Sequence, residues 1–193
     1  MTTAGVVVLP FGGRRVARSL RDLATVTLDD VACCRRVAVV GSDADLASVL
    51  TRLLRDDRLG VEVCHVRRPA DVRRVRTGVA TRTPLIRDET GTVIVGAAEW
   101  TGSPAGEALR GEAVVDDTVV FDGDVPGVRV EPMRTLPGLR AAVMGRGRLR
   151  WVTGRAAQLG TPGAMVVRDG VPGPRPVRRS TLYRHTEGWL QVG

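Results

Sequence analysis

Arg36-Val-Ala-Val-Val-Gly-Ser-Asp-Ala-Asp-Leu-Ala-Ser-Val-Leu-Thr-Arg-Leu-Leu54 decides the fold class. Residues 37–40 form an unbroken apolar run, mostly β-branched, which reads as a buried strand. Gly41 ends it. Leu46, Val49, Leu50, Leu53 and Leu54 then recur at the spacing of one helix face. Ser42, three residues before Asp45, approximates a capping box with Asp in place of Glu. A strand turning sharply into a helix presents free N–H groups and the positive helix end, a common seat for phosphate. Glycines usually line such a seat. Here Ser42, Asp43 and Asp45 bring oxygens of their own, which can cap the helix and would repel a phosphate unless Mg²⁺ bridged them.

On the N-terminal side, Val6-Val-Val-Leu9 reads as a first strand ending at Pro10-Phe-Gly-Gly13. Val16, Leu20 and Leu23 predict a surface helix over residues 14–24, followed by a short strand or loop near 26–28. On the C-terminal side, Asp56, Asp57 and Gly60 close the main helix. Val61-Glu-Val-Cys-His-Val66 alternates as a strand, and residues 71–76 suggest a short basic helix or turn. This alternation predicts an α/β, Rossmann-like half with a small, largely parallel sheet over residues 1–82. From residue 83 glycine and proline recur every few positions. Short strands are expected near 93–95, 113–115, 119–121, 128–130, 139–143, 150–152 and 165–167, and at 183 or 189–192. Turns are expected at Asp122-Gly123, Pro137-Gly138 and Asp169-Gly170. The reading for residues 83–193 is a mainly antiparallel, sandwich-like β half.

Composition narrows the chemistry. All 29 cationic side chains are arginine and none is lysine, as in proteins from genomes rich in G and C. A Lys-dependent phosphate loop and a Schiff-base lysine are excluded. The net charge of +8 attracts polyanions without specificity. His65 and His185 are the only histidines; HExxH and Gly-x-Ser-x-Gly are absent, so zinc-protease and nucleophile-elbow chemistry are not supported. Cys33, Cys34 and Cys64 lack metal or disulfide spacing and read as structural thiols. Asp116, Asp117, Asp122 and Asp124 are dense enough to suggest Ca²⁺ or Mg²⁺, but their spacing matches no EF-hand loop, Val119-Val-Phe121 among them reads as strand, and residues 122–127 read as ordinary turn chemistry. No apolar run reaches membrane-spanning length, no signal-peptide pattern is evident, and a reduced cytoplasmic protein is expected.

The order strand, Gly41-Ser42-Asp43-Ala44-Asp45, helix, followed by a β-rich half, resembles the diacylglycerol kinase and NAD kinase superfamily. The signature of that family is GGDGT after a strand. Gly41 stands at its first Gly and Asp43 at its Asp, whereas Ser42, Ala44 and Asp45 replace the second Gly, the third Gly and the Thr. Residues 152–159, leading to Val166-Val-Arg-Asp-Gly-Val171, are similar to the family's late strands ending in a D-G hairpin. The resemblance implies an α/β nucleotide-binding domain paired with a β-sandwich, ATP lying between them. It implies a nucleotide or other phosphorylated small molecule at Gly41, Ser42, Asp43 and Asp45, with Mg²⁺ if a nucleotide binds. The altered signature points to degenerate catalysis and a binding or scaffolding role.

Two alternatives stand beside this. One is an active Mg-dependent lipid or nucleotide kinase using Asp43 and Asp45. The other is an Arg-rich binder of nucleic acid or an anionic surface, in which Arg175, Arg178, Arg179 and Arg184 clamp phosphates near Tyr183 and His185. Strand alternation would place Arg178 and Arg184 with Ser180 and Leu182, and Thr181, Tyr183 and His185 opposite. A homodimer or protein partner covering an edge of the short α/β sheet is a further expectation.

Overall fold

The fold is that of a computed structural model, which describes residues 4–104 and 106–193. Two compact units emerge, one built from residues 1–83 and 187–193, the other from 84–186. No helix of the described residues is long and apolar enough to cross a membrane.

In the first unit β1 (Ala4–Pro10) runs parallel to β3 (Cys34–Val40), and β3 runs parallel to β4 (Glu62–Val66). Residues 36–40 are all buried, as expected of a central parallel strand covered on both faces. Helix α1 (Asp43–Arg55) follows β3 after a two-residue turn, buries Leu46, Val49, Leu50 and Leu53, and packs on β3. Leu54, predicted on the same face, is only half-buried. Helix α2 (Val72–Thr77) is a short basic turn and a half anchored by the buried Val75. Strand β5 (Ala80–Thr83) ends this run.

The predicted helix over residues 14–24 is corrected. A single 3₁₀ turn, Arg18–Leu20, stands there, and Ala24–Thr25 (β2) pairs parallel with β1. No side chain caps the turn at Ala17. Val16, Leu20 and Leu23 all reach the core without a full helix, and β1 offers the following residues a ladder of hydrogen bonds instead.

The second unit is antiparallel throughout. Its strands are β6 (Ile86–Asp88), β7 (Val93–Ile94), β8 (Ala98–Gly102), β9 (Leu109–Val115), β10 (Thr118–Val125) and β11 (Gly127–Pro132), then β12 (Leu139–Val143), β13 (Val152–Gly154), β14 (Ala156–Arg168), β15 (Val171–Pro172) and β16 (Val177–Arg184). Their order is β13-β12-β11-β8-β14-β16-β6-β7; β9 and β15 also pair with β14, and β10 with β9. Trp100, Leu109, Leu139, Ala157, Val166 and Leu182 lie in one fully buried cluster. Trp100 Nε1 donates to the buried Ser180 Oγ at 3.1 Å, which satisfies both polar groups inside it.

Two readings of the β-rich half change. Asp122-Gly123 is no turn: both residues lie within β10, where Gly123 (φ 115°) faces Gly111 (φ 139°) across the ladder. The reversal between β9 and β10 comes earlier, at Asp116 and Asp117, with Asp116 at φ 49°. The Asp116 carboxylate accepts from the N–H groups of Arg155 and Ala156, so it tethers backbone rather than metal. Finally, Trp189–Val192, β17, leaves the β-rich half. It inserts in the first sheet between β4, parallel, and β5, antiparallel, giving the order β2-β1-β3-β4-β17-β5 among the described residues. Unpaired backbone groups on the flanks of β4 and β5 accept this strand. The Asp169-Gly170 turn joins β14 to β15 as a hairpin.

Candidate functional site

The carboxyl ends of β1, β3 and β4 lie side by side, because Pro10 pairs with Val40 and Val40 with Val66. Phe11 N–H donates to Val40 O at 3.0 Å, extending that alignment past the strand ends. The turn after β3 therefore sits beside the residues that follow β4, and Asp43 meets Arg67 there. In open parallel sheets this is where ligands bind.

Asp45 dominates the corner. Its Oδ2 accepts from Ser42 N at 2.7 Å and from Ser42 Oγ at 2.8 Å, while Asp45 N donates to Ser42 Oγ at 3.2 Å. The capping box expected from the sequence is complete, with Asp doing what Glu usually does. A Cβ on Gly41 would fall 2.7 Å from both Cβ and Oδ2 of Asp45, so the glycine is needed to admit this carboxylate. The Asp45 side chain thus fills the space beside Gly41.

Asp43 turns the other way. Its Oδ1 is buried, lies against the Arg67 guanidinium as an ion pair, and stands 3.8 Å from His65 Nδ1. No hydrogen bond of regular geometry reaches that oxygen. His65 Nε2 donates to Gly41 O at 3.1 Å, since a carbonyl only accepts, and its Nδ1 faces Asp43. Burial holds the His65 pKa below its ordinary value, opposed by the carbonyls of Gly41 and Ser42.

A Mg²⁺ ion fits these residues poorly. Asp45 is committed to the cap and Asp43 to Arg67. Among the described residues no group of three or more His, Cys, Asp or Glu side chains gathers to hold a metal.

The arginines singled out near the C-terminus do not converge. Arg175 is exposed in the loop before β16, and Arg178 and Arg179 are exposed on it. Alternation sends Arg178 and Arg184 to the side of Ser180 and Leu182, and Arg179 to the side of Thr181 and Tyr183. Arg184 donates to Pro137 O at 3.0 Å and lies over Gly138. Tyr183 is stacked by Arg87, 4.6 Å from the ring centre, and Arg87 Nε lies 3.3 Å from His185 Nδ1. This strand is paired on both sides at Leu182 and Tyr183, by β14 and β6, so it is not a free edge there.

Arg67 and His65 are the site residues that sequence reasoning missed. Their signal is register. Once β3 and β4 are taken as parallel neighbours, the residue after Val66 must lie beside the turn after Val40.

No protein-family model matches the sequence, and no curated protein matches it at a significant level. Solved structures do. An NAD kinase from Archaeoglobus fulgidus in complex with ATP superposes with a TM-score of 0.68 at 12% identity, over 100% of this chain and 94% of that one. A diacylglycerol kinase from Bacillus anthracis gives a TM-score of 0.72 at 10% identity, over 98% of this chain and 96% of that one. The chain has the two-part fold of these kinases, a small mixed sheet, mostly parallel, and a large antiparallel one.

Proposed function

We propose that this chain is a kinase-fold binding protein, taking a nucleotide or other phosphorylated small molecule without transferring its phosphoryl group. One observation carries the reading: the Asp45 carboxylate occupies the turn after β3, holding Ser42 N and Ser42 Oγ and filling the space over Gly41. Phosphoryl transfer needs donors or cations where negative charge spreads in the transition state. A carboxylate at that point opposes it. What the corner keeps for an anion is the N–H groups of Asp43 and Ala44, which the capping box does not use, and the half-exposed guanidinium of Arg67, which an arriving anion would share with Asp43.

The fold shared with an ATP-bound NAD kinase supports a nucleotide as the first ligand to try. The test has two arms. Purified protein with ATP and Mg²⁺ should phosphorylate neither NAD nor diacylglycerol, while ATP or ADP should raise its melting temperature. Replacing the turn (Ser42→Gly, Ala44→Gly, Asp45→Thr) should then tighten nucleotide binding by about tenfold or more, as expected when a charge a few ångströms from a phosphate is removed. Phosphoryl transfer by the unaltered chain, abolished by Asp43→Ala, would make it an active kinase and overturn the proposal.

A further inference from the structure

Between Glu131 and Asp169 the chain has no acidic residue, yet it carries seven arginines: 134, 140, 146, 148, 150, 155 and 168. Two of these are neutralised locally. Arg140 pairs with Glu131 and Arg168 with Asp88. Three others, Arg146, Arg148 and Arg150, alternate along the loop that joins β12 to β13, and all three are exposed. Among the described residues none of them takes part in an ion pair.

The loop is held at its base. Ala141 pairs with Val152 across the hairpin, and Met144 N–H donates to Gly127 O at 2.8 Å. Trp151 closes it, half-buried, with the Arg140 guanidinium 4.2 Å from its ring centre. Glycines at 145 and 147 flank Arg146, and Gly147 adopts φ 102°, a conformation that side chains resist. Three like charges within five residues repel one another and gain nothing inside the fold. Their placement makes sense toward a partner carrying a row of negative charges.

That partner class can be narrowed. A membrane-docking loop couples basic residues to an exposed apolar anchor. The large exposed apolar side chains here are Val79, Val119, Leu136 and Val171; none lies in residues 144–151, whose aromatic, Trp151, is half-buried with Arg140 over its ring rather than extended as an anchor. A solvated polyanion with evenly spaced phosphates fits better, and guanidinium grips phosphate through two hydrogen bonds at once. We infer that residues 144–151 form a docking loop for single-stranded nucleic acid, with Arg146, Arg148 and Arg150 on phosphates and Trp151 beside the bases. This loop shares no residue with the turn at Gly41, and the inference does not rest on a nucleotide bound there.

The experiment is fluorescence anisotropy of the full chain with a labelled single-stranded oligonucleotide at 50 and 200 mM salt. The variant Arg146→Ala/Arg148→Ala/Arg150→Ala removes three phosphate contacts. It should flatten the log–log salt dependence by about 2, so the fourfold salt rise weakens unaltered protein roughly 20-fold more than the variant. Arg55→Ala/Arg58→Ala/Arg73→Ala, with the same charge change on exposed arginines of the other unit, should keep the original slope. Trp100 and Trp189 are buried, so fluorescence quenching on binding should come from Trp151 and vanish in Trp151→Leu. Equal slopes for all variants would overturn the inference. So would capture by phosphatidylserine vesicles with no oligonucleotide binding, which would assign the loop to a membrane.

Discussion

Asp45 and His65 show how single side chains set the character of the corner. Asp45→Ala removes the acceptor of Ser42 N–H and should lower unfolding free energy by about 1 kcal/mol, read by urea titration. The same change should strengthen anion binding, because the repelling carboxylate goes with it. His65 titrates in the opposite sense to a salt-bridged histidine. Burial lowers its folded-state pKa, so above the unfolded value, about 6.5, both states are neutral and its contribution is complete. As pH falls from there through the folded-state pKa, the unfolded chain takes up a proton that the folded one resists, and stability drops. His65→Gln should flatten the stability profile on the acid side of about pH 6.5 in chemical denaturation. An unchanged acid limb would show that His65 is not the group responsible. Ser42 and Asp45 were legible as a cap because an i to i+3 rule is local. The ion pair of Asp43 with Arg67 was not, since those residues are brought together only by strand pairing.

The strand-turn-helix element carries the first unit. A helix of thirteen residues is marginal in water by itself, so α1 exists through its buried face. Leu50 is fully buried at the centre of that face. Leu50→Ala should cost about 3 kcal/mol, seen as a lowered denaturation midpoint with an unchanged slope. The helical spacing of Leu46 to Leu53 made this element readable. The same spacing at Val16, Leu20 and Leu23 misled, because three apolar residues can reach a core from an irregular segment when a neighbouring strand takes up the backbone. Residues 98–102 were not anticipated as a strand either. Trp100 is buried at the centre of the second unit, but Glu99 and Thr101 around it gave too short an alternation to weigh against neighbouring glycines.

Across the molecule, the chain leaves the first unit once and returns to finish its sheet. Strand β17 bridges β4 and β5, and Trp189 and Val192 are buried there. Removing residues 187–193 should therefore damage the first unit more than the second, although the deleted residues follow the second in sequence. Hydrogen exchange should show protection lost in β4 and β5 and kept in β8 and β14. Uniform loss in both units, or none, would contradict this assignment of the strand.

Local sequence was enough to determine the α/β start, the antiparallel remainder, the self-capped turn at Gly41 and the absence of lysine-dependent phosphate chemistry. Each depends on periodicity, turn stereochemistry or residue type, which act over a few neighbours. Tertiary structure alone decided where the last strand goes, that Arg67 and His65 stand at the turn, and that Arg184 is held at Pro137. Those outcomes follow from hydrogen-bond register between strands distant in the chain, where many pairings satisfy the backbone and only burial of the whole core selects one.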